Sequence, residues 1–295
     1  MSSQAELSQR LARLSEISGI MTAMKSLSLV ETRKLARFIG HQRHMLANIK
    51  VAATDFLSYF PIASQTETQP SVLVLIGSER GFCGNFNERL LAALADLPVW
   101  QTAPALLVVG HRLGVKSRNY PNVIARIDGP TVTEEVPSVL NRLMDALHTA
   151  SRKLSGNGVC LFSLAHETEG EPALKRLLPL TPLPIPSFGH PPLLQLAPAD
   201  FFAELLDQYL LSELYGLLYE SLMAENRQRL AHMESALDRL HETLDRLALK
   251  RNAMRQEKIV EEIEVILSSA QAFAKERLRT DGSQWEVMEF QTGLD

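Results

Sequence analysis

Both ends of the chain carry apolar residues at steps of three and four, and the middle does not. From about residue 4 to residue 59 there is no proline, and the only glycines are Gly19 and Gly40. Leu7, Leu11, Leu14, Ile17, Met21 and Met24 recur at helical spacing, and Leu35, Phe38, Gln42, Met45, Ile49, Ala52, Phe56 and Tyr59 continue the alternation. The pattern predicts one long helix with a single apolar stripe. Pro61 sets its end, because proline removes a backbone donor and disfavours helix at the preceding residue.

The C-terminal third repeats the pattern. No proline follows Pro198, and Asp200 is the expected helix cap. Leu230, Met233, Leu237, Leu240, Leu244, Leu247 and Met254 hold heptad spacing, with Arg251 as the polar member. Beyond Met254 the stripe slips and resumes as Ile259, Ile263, Ile266, Ala270 and Phe273. A straight helix drifts against a strict heptad in this way, so a supercoil is expected to relax there. One helix over 200–276 would be roughly 110 Å long at ~1.5 Å per residue, too long for a globular domain to hide. Its expected partner is the N-terminal helix, paired antiparallel; two shorter helices within one bundle are the alternative.

The middle reads differently. Ser71 to Gly77, Ala105 to Gly110 and Gly158 to Leu164 are continuous apolar runs of the kind that form buried strands. Helical stretches separate them, from Asn87 to Asp96 and from Val136 to Lys153. Strands alternating with helices imply an α/β layer on a largely parallel sheet. The expected organisation is therefore a helix over 1–60, a Rossmann-like α/β domain over 70–198 with a Pro-rich edge from 179, a helix over 200–276 and an extension over 277–295.

Composition narrows the function. A formal net charge of -4 argues against a nucleic-acid partner. Two cysteines, Cys83 and Cys160, build neither a disulfide framework nor a cysteine-rich metal site. No apolar run approaches the ~20 residues needed to span a bilayer, and the start of the chain lacks the grammar of a secretory leader. Association with a membrane is expected only through partners.

Ser78-Glu79-Arg80-Gly81-Phe82-Cys83-Gly84-Asn85-Phe86-Asn87 follows the first strand and opens a helix, where α/β folds place phosphate loops and nucleophiles. Neither G-x-x-x-x-G-K-[ST] nor G-x-G-x-x-G occurs in the chain. Cys83 as a nucleophile needs a histidine brought near it, with His111 available, but a structural cysteine is the simpler reading. Glu79 as a base lacks a second acid. The histidines form no zinc motif, and His232 and His241 read as surface residues of the long helix. Glu242 and Arg246 are spaced as a helix-face pair, worth only a few tenths of a kcal/mol. Lys250, Arg251, Arg255 and Lys258 form a basic cluster, either solvated or facing an acidic partner. The expectation is no catalytic site, no metal and no cofactor, in a protein with a mechanical or binding role.

Separated segments resemble the ATP synthase gamma subunit family. Ile20-Met21-Thr22-Ala23-Met24-Lys25-Ser26-Leu27 is similar to that family's I-T-K-A-M-K-M-V, and the segment Ser78 to Asn87 to S-D-R-G-L-C-G-G-F-N. Val109-Gly110-His111-Arg112 fits V-G-R-K. Leu218 to Arg227 resembles L-x-E-S-L-A-S-E-H-A, and Arg255 to Ile263 resembles R-Q-A-A-I-T-Q-E-I. The resemblance covers nearly the whole chain, in the correct order.

It implies a non-catalytic rotor shaft of an F-type ATP synthase or ion-translocating ATPase. Its terminal helices would stand in the cavity of a hexamer of alpha and beta subunits. Its α/β domain would contact the epsilon subunit and the membrane ring of c subunits. Carried over position by position, Arg255 and Gln256 match a pair near the top of the shaft that meets a beta-subunit loop, and Met24 and Lys25 match positions facing the catalytic subunits. Arg80 and Cys83 fall on a loop near the acidic beta lever. A bacterial member would sit at the cytoplasmic face of the inner membrane, held peripherally. Val260 stands where the family has threonine, Asn85 where it has glycine, and the chain continues past Phe273 through Trp285 to Asp295, where the family commonly ends. These departures imply a divergent member, with an alternative ATPase complex as the hypothesis. A coiled-coil tether that no longer works in a motor is the first rival. An α/β enzyme using Cys83 or Glu79 is the second.

Overall fold

A computed structural model describes residues 2–61, 70–98, 104–154, 159–168, 170–180 and 190–288, with side chains only for 4–273 within helices at the two ends. Its elements in chain order are α1 (Ser2–Tyr59), β1 (Ser71–Ile76), α2 (Phe86–Ala95), β2 (Ala105–Val109), α3 (His111–Lys116), β3 (Val123–Ile127), a 3-10 turn (Thr133–Glu135), α4 (Val136–Lys153), β4 (Cys160–His166), β5 (Pro172–Leu178) and α5 (Pro198–Met288). The chain divides into two compact units. One comprises Met1–Ile20 with Leu237–Asp295, the other Met21–Ala236.

The larger unit is built on a five-stranded sheet in the order β3-β2-β1-β4-β5. The first four strands run parallel and β5 is antiparallel to β4. Val72 through Ile76 on β1 are no more than 2% exposed, because helices cover both faces of the sheet. On one face Val72, Val74, Ile76, Leu107 and Val109 pack with Leu35 and Ile39 of α1, Leu140 and Leu143 of α4, and Leu214 through Met223 of α5. On the other face Leu73, Leu75, Leu106 and Val108 meet Leu90 and Leu94 of α2 and Leu113 of α3. The period-2 alternation of each strand thus sorts its side chains between two cores.

The three expected strands and two helices of this region are present, α4 with its expected bounds. The short elements α3, β3 and β5 were not anticipated. The expected end strand began at residue 158, outside the described residues. The same holds for 181–189 of the Pro-rich edge. α5 starts at Pro198, so Asp200 lies in its first turn rather than at its cap. Proline is favoured at a first helical position because its missing N–H has no intrahelical partner to lose.

Within the larger unit α1 and α5 run antiparallel. Lys25 Nζ lies 2.8 Å from Glu234 Oε1. Further along, Phe38 stacks on Tyr219 with centroids 5.6 Å apart, Gln42 Nε2 donates to Ser212 O at 3.0 Å, and Phe56 meets Phe201 at 5.1 Å. Position on α5 falls steadily as position on α1 rises. The smaller unit has its own antiparallel contact, Ser18 Oγ to His241 Nε2 at 3.3 Å.

The buried stripe of α1 is stricter than the sequence pattern suggested. Met21, Lys25, Ser28, Thr32, Leu35, Ile39, Gln42, Leu46, Ile49, Ala53 and Phe56 are all buried or half-buried, at alternating steps of three and four. Ile17, Phe38 and Met45, expected on the stripe, are 46%, 48% and 47% exposed. Of the expected stripe Leu7, Leu11, Leu14, Met21 and Met24 are half-buried. From Leu35 onward Leu35, Gln42, Ile49 and Phe56 lie on the seam, while Phe38, Met45 and Ala52 fall one residue early. Two apolar columns flank the seam, and sequence spacing alone admits either as its second row. The heptad seam of α5 fits the expectation, with Leu230 through Met254 buried or half-buried and Arg251 among them.

One carboxylate ties three elements of the larger unit together. Glu213 of α5 is 1% exposed and pairs with Lys50 of α1, at 2.7 Å, and with Lys175 of β5. Burial works against its ionisation, but hydrogen bonds from Lys175 and Lys50 outweigh that and hold its pKa below the ordinary value. The same burial, with Glu213 beside it, pushes the Tyr209 hydroxyl upward.

Two predictions follow for stability. Ile39→Ala should cost about 2–5 kcal/mol in denaturant unfolding, whereas Met45→Ala should fall within ~0.5 kcal/mol of the parent. Equal effects would contradict the seam. Glu213→Ala strands two lysines around a buried site and should destabilise by roughly 3–5 kcal/mol. Because the folded pKa of Glu213 is depressed, its contribution is complete above the unfolded value near 4.5 and is lost as pH falls through the lower folded value. The gap between parent and Glu213→Ala midpoints should therefore narrow in acid.

Candidate functional site

β1 is the place where the sheet reverses direction. The chain leaves it outward to β2 and β3, then returns on its other side as β4. Ligands and partners of open α/β sheets gather outside the carboxyl ends of the strands at such a point. The segment Gly77 to Asn85 occupies it.

This segment is held closely from within. Ser78 N donates to Asn87 Oδ1 at 3.0 Å, and Asn87 Nδ2 donates to Ser78 Oγ at 2.7 Å, both residues being buried. The Glu79 carboxylate accepts from His111 N and Gly129 N, each at 2.7 Å, joining the ends of β1, β2 and β3. Two backbone amides thus hold one oxygen of Glu79 in place, giving it a structural role at the sheet edge. Gly110 makes this possible. Its φ is 109°, and a Cβ there would lie 2.6 Å from Gly77 O.

From the other side α5 meets the segment with charge. Glu225 accepts from Glu79 N at 3.1 Å and from Arg80 N at 3.2 Å. Arg229 pairs with Glu225, donates from Nε to Gly81 O at 3.2 Å and from Nη1 to Asn226 Oδ1 at 3.0 Å. Burial pushes the Glu225 pKa up, against the opposing pull of Arg229 and the two amides.

Cys83 is 4% exposed, packed with Phe86 and Ala224, with its Sγ 3.6 Å from Arg80 O. Burial pushes its thiol up, away from the thiolate a nucleophile needs. It is a free, structural cysteine. Arg80 and Phe82 face outward instead, Phe82 with a φ of 64° and 59% exposed.

Met24 and Arg80 come together. A cleft of about 90 Å³ is lined by Met24, Leu27, Glu31, Arg80, Val132 and Arg229, among others. Lys25 is half-buried on the seam, against Glu234. Arg255 and Gln256 belong to the smaller unit and are exposed on α5. Every residue of α5 from Arg255 to Phe273 is exposed, including Ile259 at 45%, Ile263 at 50%, Ile266 at 65% and Phe273 at 73%. The resumed stripe thus lies uncovered. Among the described residues no three histidine, cysteine or acidic side chains are grouped to hold a metal ion. No described helix is long and apolar enough to cross a membrane.

Glu225, Asn226 and Arg229 were missed as site residues. Their signal was present as a polar run, Glu225 to Arg229, directly after the apolar Leu222-Met223-Ala224. Phe82 gave no such signal, since only its backbone angle and exposure set it apart.

Comparison with known proteins agrees with this architecture. The profile of the family described as ATP synthase matches residues 3–273. A protein of Rubrobacter xylanophilus named ATP synthase gamma chain is 24% identical, covering 93% of this chain and 99% of its own length. One of the same name from Bdellovibrio bacteriovorus is also 24% identical, covering 92% and 99%. Among solved structures, a chain of the Euglena gracilis mitochondrial ATP synthase, in its OSCP, F1 and c-ring assembly, aligns with a TM-score of 0.61 at 14% identity, over 94% of this chain and 96% of that one. A chain of the Tetrahymena thermophila central stalk and c-ring gives 0.52 at 20% identity, over 74% and 99%. The two paired end helices, the parallel sheet with its antiparallel edge and the profile match across nearly the full length place this chain in the ATP synthase gamma subunit family, the non-catalytic rotor component of the enzyme.

Proposed function

We propose that this chain is the central shaft of an F-type ATP synthase or ion-translocating ATPase. In this reading its α1–α5 pair stands inside a hexamer of alpha and beta subunits, and the sheet-bearing unit meets the epsilon subunit and the c ring. Rotation driven by ions passing the ring, protons being the ordinary case, is transmitted to the beta subunits, where ATP is made or hydrolysed. The chain supplies stiffness and contact and leaves the chemistry to its neighbours. Its attachment to the membrane is peripheral, at the cytoplasmic face of the bacterial inner membrane. The bacterial gamma chains it resembles support that placement.

The observation that carries the reading is the uncovered stretch of α5 from Arg255 to Phe273. From Arg255 to Phe273 the helix exposes Ile259, Val260, Ile263, Val265, Ile266 and Leu267, beside the exposed pair Arg255 and Gln256. So many large apolar side chains on one exposed helix mark a surface that a partner encloses. An apolar helix face in a close-fitting sleeve can turn without breaking directional bonds, while Arg255 and Gln256 supply polar contact beside it. In the larger unit, Met24, Lys25 and Arg80 are the candidates for contact with the beta subunits, Arg80 through its charge against an acidic segment. Cys83 serves that contact from beneath, as packing for the turn.

Tagged chain should co-purify from native membranes with alpha and beta subunits and ATPase activity. In that material Arg255→Ala combined with Gln256→Ala should lower ATP hydrolysis by about tenfold, the equivalent of losing one well-placed polar contact. A chain recovered alone, or an eluate without ATPase, contradicts the rotor reading. Arg80→Glu should weaken ATP-driven ion pumping more at low than at high ionic strength, because screening removes long-range repulsion. A salt-independent effect would place Arg80 away from any acidic partner.

A further inference from the structure

We infer that Glu225 and Arg229 are positioning residues that lock the turn from Glu79 to Phe82 onto α5, so that helix and turn move as one body; the inference rests on the rotor reading above. The turn carries two features that folding alone does not explain. Phe82 holds a φ of 64°, a left-handed conformation that crowds the Cβ of a non-glycine residue against its carbonyl. Its ring is 59% exposed, so packing does not offset that crowding. A conformation of this kind persists only where its surroundings over-determine it.

Those surroundings are unusually complete. The two oxygens of Glu225 each take one consecutive amide, Glu79 N and Arg80 N, and Arg229 takes the next carbonyl, Gly81 O. Three successive residues of the turn are thus gripped by two side chains one helical turn apart on α5. From behind, the Glu79 carboxylate is fixed to His111 N and Gly129 N. The side chains of this turn that stay exposed are Arg80, over the cleft it shares with Met24, and Phe82, a cation next to an aromatic anchor.

The alternative is that the pair merely helps α5 adhere to the sheet. A buried ion pair is a poor device for that, because well-packed apolar residues of similar size often do it as well or better. Apolar side chains cannot accept two amides and donate to a carbonyl, however. The feature that charge alone supplies here is the fixed path of the turn. Torque carried by α5 then reaches Arg80 and Phe82 without slack, and load on Arg80 and Phe82 reaches α5.

The test uses the assembled complex in vesicles, with pumping expressed per ATP hydrolysed and normalised to incorporated chain. Arg80→Ala and Glu225→Gln should each lower that ratio by about fivefold, and the double variant should fall no further than the worse single one, as for members of one network. Arg229→Lys, which keeps charge but loses the fork, should lie between the parent and Glu225→Gln. Glu213→Gln serves as the structural comparison, its effect multiplying with that of Arg80→Ala. A multiplicative Arg80 and Glu225 pair overturns the lock. Amide exchange at Glu79 and Arg80, read in the same complexes, should rise about tenfold in Glu225→Gln. Unchanged exchange overturns the lock even where pumping falls. Pumping that does not depend on this chain at all overturns the rotor reading instead.

Discussion

In the larger unit α1 and α5, separated by some 140 residues of sequence, pack along one seam, and the polar residues on that seam decide how they fit. Apolar side chains at heptad spacing drive association but tolerate a slip by one repeat, since every leucine resembles the next. Lys25 opposite Glu234, Gln42 on Ser212 O and Lys50 on Glu213 do not. A slip of α1 by seven residues would take Lys50 away from the buried Glu213. The packing of α1 against the sheet through Leu35 and Ile39 and the docking of α5 through Leu214 to Met223 follow from that one alignment.

The sheet carries, in the larger unit, the turn proposed to meet a partner. Its buried central strand ends at Gly77, and the glycine at 110 lets the ends of β1 and β2 approach closely enough for Glu79 to reach both neighbouring loops. The turn that results displays a strained aromatic and an exposed arginine, and α5 grips its backbone with a buried charge pair. Rigidity is the common theme of seam and turn. A part that conveys torque loses efficiency through any element that bends before it pushes, and each polar contact here removes one such freedom.

Much of this was legible in the sequence because it depends on local periodicity. The buried strands showed as unbroken apolar runs, α4 as a complete amphipathic segment, and the α5 seam as a heptad with Arg251 already in place. The second row of the α1 seam was misplaced because Phe38 and Met45 are apolar but lie beside the contact. Only the position of α5 chooses between the rows. β3 and β5 were overlooked for a related reason. As edge strands they alternate exposed and half-buried residues, and Pro172-Ala173-Leu174-Lys175 offers no run that local pattern can separate from loop. Glu225 and Arg229 were visible as letters but not as a grip, since their partners are backbone atoms about 145 residues away. Resemblance placed Cys83 on the partner-facing loop, and geometry turned its side chain inward.

The central claim is that this chain turns within its complex. It is tested most directly by fixing the alpha and beta subunits to a surface, attaching a bead to the larger unit of this chain and watching it under ATP. The account predicts sustained rotation in one direction that stops when ATP is withdrawn. A bead that only fluctuates about one angle, in complexes that still hydrolyse ATP, would contradict it.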